Sequence, residues 1–332
     1  MRFLVIGAGA TGGYFGGRLL EAGRDVTFLV RPRRAERLAA TGLTITSPAG
    51  NITLRSPATV LAGKLRTPFD VVILSCKAYD LGGAVESFAP AVGPDTTVVP
   101  LLNGMRHLDA LDARFGANRI LGGTCFISAK LGEDRTIAHV SDIHRLAFGE
   151  RAGGSSRRVD AIAAAMAGAK FQTVASDDIV LEMWEKWVFL ASLAAVTCLT
   201  RSAVGDIITA GGADLAPALL EECRAIAAAA GYPPRADSMR ASLRRLTDAG
   251  SEVTASMLGD VERHGRTEAD HVLGDLLRRR GDASDGDRSL LRLAYIAVKA
   301  AEARAAREQQ PTGRSDAGLG LDGQRLCHRR RQ

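Results

Sequence analysis

The sequence lacks the features that mark several large protein classes. Its five cysteines are widely spaced with no C-x-x-C pair, and none of its six histidines lies in a metal-site spacing such as H-E-x-x-H. The most apolar uncharged run, residues 187–200, is too short to cross a bilayer. Aromatic residues make up only 5% of the chain, and no basic patch is interleaved with them. We therefore expect no disulfide framework, no metal site, no membrane span and no nucleic-acid partner.

Half of the positive charge excess lies at the C-terminal end. The formal net charge is +6, and residues 309–332 contain five arginines against two aspartates. This segment is polar, contains glycine and has no periodic apolar face, so we expect a disordered, solvated tail. Because the first predicted strand begins at Arg2, we also expect no signal peptide and a cytoplasmic location. The sequence does not fix the oligomeric state, and a homodimer stays open.

A glycine-rich turn lies at the start of the chain, between a predicted buried strand (residues 2–6) and a predicted helix (residues 14–22). It matches G-x-G-x-x-G in the context that gives the motif its meaning, with the residues Gly7, Ala8, Gly9, Ala10, Thr11 and Gly12. In such a turn the first glycine allows the tight bend, the second admits a pyrophosphate, and the third lets helix and strand pack closely. The helix N-terminus then presents free N–H groups to the phosphates. The turn predicts a dinucleotide site.

Arg31 indicates which dinucleotide binds. The second predicted strand, residues 26–30, ends where an NAD-binding fold usually carries an acidic residue for the ribose hydroxyls. Arg31 occupies that place, with Arg33 and Arg34 close behind. A guanidinium suits a 2′-phosphate, so we predict NADP(H).

Strands and helices alternate through the first half of the chain and give way to helices in the second. Residues 71–74 and 97–101 read as further buried strands, followed by Lys77 and Asn103, and residues 81–88 read as a helix. Residues 43–54 look like a hairpin, and residues 120–148 are β-rich. Alternation of this kind predicts an α/β, Rossmann-type doubly wound sheet. Beyond residue 176 every periodic segment reads as a helix, including residues 253–264 and 267–280. We predict a dinucleotide-binding domain over 1–175, an all-α substrate domain over 176–308 and a tail over 309–332.

Four residues are candidates for chemistry, and each also has a structural interpretation. Lys186 is the last charge before the uncharged run, where it could donate a proton or merely extend to the surface. Glu268 opens a later helix, where it could equally serve as a favourable charge at a positive helix end. Lys77 could be a surface lysine, and Asn103 with Gly104 could form only a turn.

Taken together, these residues resemble the ketopantoate reductase (2-dehydropantoate 2-reductase) family over roughly residues 1–305. The resemblance rests on the motifs Gly7-x-Gly9-x-x-Gly12, Arg31, Ser75-x-Lys77-Ala78, Asn103-Gly104-Met105, Trp184-x-Lys186, Ser256-Met257-Leu258-x-Asp260 and Thr267-Glu268. It implies NADPH-dependent reduction of 2-dehydropantoate to pantoate, in pantothenate biosynthesis.

The resemblance also implies a role for each site residue. The lysine matching Lys186 is the general acid, and the glutamate matching Glu268 supports it. The residues matching Lys77 and Asn103 line the nicotinamide and substrate cleft, and the serine matching Ser256 holds the substrate carboxylate. We therefore expect Glu268 to orient Lys186 through a hydrogen bond.

The chain departs from the family pattern at three positions. Leu190, Ala194 and Val253 stand where well-known members carry asparagines that contact the substrate. The apolar replacements predict that ketopantoate is at best a modest substrate, unless Ser192 or Thr197 has taken over the lost contact. Two alternatives remain open: a reductase of a more apolar 2-oxo acid, and a non-catalytic NADP-binding sensor.

Overall fold

A computed structural model describes residues 1–281 and 288–309. The described strands are β1 Arg2–Ile6, β2 Asp25–Leu29, β3 Leu43–Thr46, β4 Ile52–Leu54, β5 Thr59–Val60, β6 Val71–Leu74, β7 Thr97–Pro100, β8 Gly122–Leu131, β9 Ile137–Gly149 and β10 Gln172–Ala175. They form two sheets. The first sheet, in the order β5-β2-β1-β6-β7, is parallel throughout. This is the arrangement expected of a Rossmann-type sheet and confirms the predicted α/β fold class.

The hairpin and the β-rich segment form a second, mixed sheet rather than extending the first. Strand β9 pairs antiparallel with β8 and parallel with both β3 and β10, and β3 pairs antiparallel with β4. Four of the five strands of the first sheet were predicted from their apolar runs, whereas the two-residue edge strand β5 was not. The second sheet depends on pairings between distant segments, which the local pattern does not specify.

Helices connect many of the strands and predominate in the described part of the chain after β10. They are α1 Ala10–Glu21, α2 Pro32–Thr41, α3 Leu81–Phe88, α4 Arg106–Phe115, α5 Arg157–Met166, α6 Ile179–Thr200, α7 Val204–Thr209, α8 Leu215–Ala229, α9 Ala236–Leu246, α10 Ser256–Glu262, α11 Asp275–Arg278 and α12 Leu290–Gln309. A π-helix, Asp270–Gly274, runs directly into α11. After β10, the regular secondary structure of the described residues is entirely helical, as predicted.

Alternate residues of β1 face two different cores. Phe3 and Val5 pack in one cluster with the aromatic residues of α1 and the second sheet, whereas Leu4 and Ile6 belong to a second cluster. That second cluster continues into α6 through Trp184. The first sheet is therefore covered on both faces, which explains why residues 3–6 of β1 and all of β6 are apolar.

Three predicted boundaries need correction, and one prediction lies outside the described residues. The helix predicted over 14–22 begins already at Ala10. The helix predicted over 253–264 begins only at Ser256, because the carbonyls of Ser251 and Val253 accept hydrogen bonds from the start of α7. The helix predicted over 267–280 contains the π-helix. The predicted tail lies outside the described residues apart from Gln309, and the division into two domains stays a prediction. Among the described helices, none is long and apolar enough to span a membrane.

Candidate active site

The glycine-rich turn has the geometry that its motif predicts. Gly7 adopts a φ of +91°, the left-handed conformation that favours glycine. A Cβ on Gly12 would collide with the Ser75 hydroxyl and lie 2.6 Å from the Gly7 carbonyl, so this glycine permits the close packing of α1 on the strands. Ser75 in turn donates a hydrogen bond to the Ile6 carbonyl at 3.0 Å. The turn is thus held between β1, α1 and β6.

The open side of the turn fits a pyrophosphate. A Cβ on Gly9 would meet nothing within 4 Å, so the backbone there is accessible to a ligand. Gly9 is also the residue at the N-terminal end of α1, which has no side-chain cap and no acidic residue in its first turn. The N–H groups and the positive end of the helix dipole therefore face an open space that suits phosphate oxygens.

Two arginines that follow β2 have different surroundings. Arg31 is the N-cap residue of α2, its side chain is 82% exposed, and its guanidinium lies 3.2 Å from the Asp80 carboxylate. Arg34, by contrast, donates two hydrogen bonds, at 3.2 and 2.9 Å, to the carbonyl of Ala8 in the glycine-rich turn. Arg31 is therefore the residue available for a 2′-phosphate, whereas Arg34 braces the turn.

Lys77 lies between the two halves of the fold. Its ammonium is 3.2 Å from Oε2 of Glu268 and 3.3 Å from Oδ2 of Asp260. The other oxygen of Glu268 accepts a hydrogen bond from the backbone N–H of Ala78 at 2.9 Å. Burial by itself would lower the pKa of Lys77, but the two carboxylates outweigh it and raise the pKa above its ordinary value of 10.5. Lys77 is therefore a charged clamp between the end of β6 and the C-terminal helices.

Lys186 is buried on α6, with 7% of its surface exposed. Its ammonium lies 5.6 Å from the centre of the Phe126 ring, a cation–π distance. Among residues 1–281 and 288–309 it has no hydrogen bond and no carboxylate within ion-pair distance. A cation held without a counter-ion in low-dielectric surroundings is a strong partner for an anionic or polarised oxygen.

The expected hydrogen bond between Glu268 and Lys186 is wrong for this structure. Both oxygens of Glu268 are engaged by Lys77 and Ala78 instead. The physical reason is that Glu268 sits against the end of β6, where a backbone donor and a nearby ammonium together satisfy its carboxylate. Sequence spacing carries no information about which lysine a distant carboxylate will meet.

The histidines, interpreted from the sequence as solvated or structural, include a pair at the site. Nδ1 of His107, on α4, lies 3.4 Å from Nε2 of His271 in the π-helix. The His271 ring also packs against Gly104, where a Cβ would lie 3.1 Å from ring atom Cδ2. This pair links the turn after β7 to the segment that carries Glu268. The only sequence signal was proximity: His107 follows Asn103 closely, and His271 follows Glu268.

The residues expected to contact substrate lie around α6 and the start of α10. Lys186, Leu190 and Ala194 are spaced four residues apart, so they share one face of α6. Ser256 is exposed as the first residue of α10. Val253 is 50% exposed, but it precedes α10 rather than lying on a helix.

Ser192 and Thr197 do not replace the missing amides. Both side chains are fully buried, and their hydroxyls donate to the carbonyls of Val188 and Leu193 within α6, at 2.8 and 2.7 Å. The Thr197 hydroxyl also accepts a hydrogen bond from the backbone N–H of Ala255. Because these donors are used inside the helix, the apolar character of the Leu190 and Ala194 positions is not offset by either hydroxyl.

Two family models match most of the chain. The model described as "Ketopantoate reductase PanE/ApbA" matches residues 3–153, and the model of the C-terminal part of the same family matches residues 178–302. The two matches cover the parallel sheet with its glycine-rich turn and the helical region with Lys186 and Glu268.

Several known proteins are similar over nearly their whole length. An uncharacterized oxidoreductase of Bacillus subtilis is 40% identical, over 84% of this chain and 92% of that protein. The crystal structure of a 2-dehydropantoate 2-reductase from Methylococcus capsulatus is 30% identical with a TM-score of 0.79, over 92% and 98% of the two chains. A D-mandelate dehydrogenase bound to NADH and anilino(oxo)acetate is 20% identical with a TM-score of 0.80, over 92% and 100% of the chains, which is a likeness of fold.

Proposed function

This chain belongs to the ketopantoate reductase family, and from that premise we propose that it reduces 2-dehydropantoate to pantoate with NADPH. Membership confirms the predicted oxidoreductase class and the nicotinamide cofactor, NADP(H). It also supports a 2-oxo acid as the substrate class. The choice of 2-dehydropantoate is our proposal. With it we propose that the enzyme acts in pantothenate biosynthesis, in the cytoplasm.

Lys186 carries the proposal. As a hydride reaches the carbonyl carbon of a 2-oxo acid, negative charge builds on the carbonyl oxygen, and a fixed cation nearby lowers the energy of that state. Lys186 is a buried cation without a counter-ion in the described site, and its burial keeps water from screening its charge. In our proposal its ammonium stabilises the developing alkoxide and then donates the proton that completes the alcohol.

The surrounding residues bind and orient the reactants in this proposal. The glycine-rich turn and the start of α1 hold the pyrophosphate, and Arg31 contacts the 2′-phosphate. Lys77 and Asn103 line the nicotinamide and substrate cleft, and Ser256 holds the substrate carboxylate. Glu268 supports Lys77 and the backbone of Ala78, so it acts by fixing the end of β6. NADPH supplies the hydride when it is bound.

A second candidate substrate is a 2-oxo acid with an apolar branch. The observation that favours it is that Leu190 and Ala194, both apolar, lie on the same face of α6 as Lys186. The hydroxyls of Ser192 and Thr197 donate hydrogen bonds within α6 instead of facing a substrate. A pocket of this kind discriminates only weakly between an apolar group and the same group bearing a hydroxyl. Mandelate dehydrogenase, which shares the fold, is described with anilino(oxo)acetate, an oxo acid derivative with an aromatic group.

NADPH oxidation over a panel of 2-oxo acids tests the proposed function. The panel should include ketopantoate, 2-oxoisovalerate and phenylglyoxylate, each also measured with the Lys186→Met variant, which keeps an unbranched apolar side chain and removes the ammonium. We expect wild-type turnover of ketopantoate and strong loss in the variant. Binding of NADPH without turnover of any 2-oxo acid would instead indicate the sensor.

A further inference from the structure

The aromatic ring of Phe126 is the group that the buried ammonium of Lys186 faces. The ammonium lies 5.6 Å from the ring centroid, within the range of a cation–π contact, and only 7% of the lysine is exposed. Phe126 lies on β8 and is partly buried. Within the described residues Lys186 has neither a hydrogen bond nor a carboxylate at ion-pair distance. The ring is therefore a contact that this charge can use where no counter-ion is present.

The carboxylates that precede Lys186 on α6 are engaged elsewhere. Glu185 accepts hydrogen bonds of 2.8 Å from the backbone N–H of Arg235 and of 2.8 and 2.5 Å from its guanidinium. Glu182 accepts a hydrogen bond of 2.7 Å from Arg145 on β9. Each carboxylate is thus paired with an arginine on another element, and neither neutralises the ammonium.

Two further titratable groups lie close enough to feel the charge of Lys186. Burial raises the pKa of the Cys125 thiol above its ordinary value of 9.0, although Lys186 acts in the opposite direction. Burial lowers the pKa of His107 well below 6.5, and Lys186 acts in the same direction. The thiol and the imidazole are therefore both neutral at about pH 7. Neither of them supplies a negative charge to the lysine.

Strand β8 packs along α6 in a way that brings Phe126 opposite Lys186. Ile179, Met183 and Lys186 share one face of α6, at spacings of four and three residues. A Cβ on Gly122 would lie 2.7 Å from Ile179 and 3.2 Å from the sulfur of Met183, so the strand lies close to the helix there. Phe126 lies four residues after Gly122 and points to the same face of the strand. The close approach at Gly122 thus sets the position of the ring.

An ion pair holds the same part of the strand pair against α6. Arg145 on β9 lies directly opposite Phe126 on β8, so the two side chains share a face of the sheet. The guanidinium of Arg145 lies 2.7 Å from the carboxylate of Glu182, one helical turn before Lys186. The ring is therefore held against the helix by close packing on one side and by an ion pair on the other.

An aromatic ring and a carboxylate would hold an ammonium in different ways. Both attract the positive charge, but a carboxylate also neutralises it and accepts its N–H groups, whereas a ring face leaves those donors free for a substrate oxygen. We propose that Phe126 is a positioning residue whose ring holds the Lys186 ammonium in place without neutralising it. The catalytic consequence rests on the proposed function, whereas the contact between ring and ammonium does not.

Fluorination of the Phe126 ring separates its charge distribution from its shape. Mono-, di- and trifluorophenylalanine, incorporated at position 126 alone, nearly keep the size of the ring while they progressively weaken the negative potential of its face. We expect kcat to fall stepwise along the series, to about one tenth of wild type for the trifluoro ring, with KM for NADPH unchanged. That factor corresponds to about 1.4 kcal/mol, within the range of a cation–π contact. A merely structural ring would tolerate the whole series, because its packing is preserved.

Competitive labelling of the lysine amines with acetic anhydride, measured by mass spectrometry, gives a second readout that does not depend on turnover. Relative to the exposed Lys130, Lys186 should react about tenfold faster in the trifluoro protein, because the ring no longer favours the unreactive ammonium form. Unchanged kcat and labelling along the series, or a fall in kcat without faster labelling, would overturn the proposal. If wild type reduces no 2-oxo acid, the proposed function fails, and the labelling comparison still decides whether the ring holds Lys186.

Discussion

Glu268 and Lys77 form an ion pair of 3.2 Å that joins the C-terminal helices to the end of β6. The second oxygen of the same carboxylate binds the backbone N–H of Ala78 at 2.9 Å. One side chain therefore fixes both the ammonium of Lys77 and the main chain beside it. This relationship, rather than a contact with Lys186, defines what Glu268 does in the described structure.

Replacing Glu268 by glutamine should loosen this connection. The amide keeps the size of the side chain but removes its charge, and Lys77 is left with Asp260 alone. Hydrogen bonds to charged groups contribute about 1.5–3 kcal/mol, so we expect kcat/KM to fall by about tenfold to a hundredfold. Steady-state kinetics with Glu262→Gln, an exposed carboxylate on α10, provide the matched control. Equal activity of both variants and wild type would contradict this role.

Arg31→Ala should weaken NADPH binding selectively. A guanidinium–phosphate contact is a charge-assisted hydrogen bond of roughly 1.5–3 kcal/mol, so KM for NADPH should rise about tenfold to a hundredfold. KM for NADH should barely change, because NADH lacks the 2′-phosphate. If KM rises equally for both cofactors, Arg31 is structural and the preference for NADPH has another origin.

Asp80→Asn is the control for this measurement. Asp80 is the carboxylate that pairs with Arg31 in the described structure, at 3.2 Å. Its neutralisation leaves Arg31 in place and removes a competitor for the guanidinium. We therefore expect KM for NADPH to stay the same or fall in this variant. A rise comparable to that of Arg31→Ala would indicate that the ion pair itself matters.

The apolar face of α6 predicts weak discrimination between two branched substrates. We expect kcat/KM for 2-oxoisovalerate to equal or exceed that for ketopantoate, since no amide at positions 190 and 194 binds the distal hydroxyl. Leu190→Asn, which restores an amide at a partly buried position, should shift the ratio toward ketopantoate. A wild-type preference for ketopantoate of about a hundredfold or more, beyond what an apolar pocket usually gives, would show that this interpretation is wrong.

The buried histidines predict a loss of stability in mild acid. Burial lowers the pKa of His107 well below 6.5, and burial likewise lowers the pKa of His271. Below pH 6.5 the unfolded chain therefore binds protons at these residues while the folded chain does not. The free energy of unfolding should fall by up to about 1.4 kcal/mol per pH unit for each histidine, until the folded pKa is reached, and should not depend on them above pH 6.5.

Urea unfolding between about pH 7.5 and about pH 5.5, the range in which histidines titrate, measures this slope. His107→Asn removes one of the titrating groups. The free energy of unfolding of this variant should therefore fall less steeply with decreasing pH than that of wild type, by up to about 1.4 kcal/mol per pH unit, which corresponds to one proton. Identical slopes would show that His107 does not contribute.

The predictions from sequence succeeded where local pattern determines structure. Strand β6 and helix α3 have the predicted bounds, because a continuous apolar run and an amphipathic run each end at clear turn residues. The glycine-rich turn was predicted because each of its glycines is required by the local backbone geometry or packing.

The rest of the site depends on contacts between distant segments. The pairing of Glu268 with Lys77 spans 191 residues, and that of His107 with His271 spans 164. Neither hydrophobic periodicity nor local residue spacing predicts such long-range contacts. The start of α10 at Ser256 was likewise decided by hydrogen bonds that its preceding segment makes with α7.

Turnover by Lys186→Ala, measured beside NADPH binding, tests the central claim most directly. Removing a positioned proton donor usually costs about 10²–10⁴ in rate. We predict a fall of that size in kcat with unchanged affinity for NADPH, whereas Lys130→Ala, at an exposed position on β8, should behave as wild type. A Lys186→Ala enzyme that keeps near-normal kcat would contradict the account.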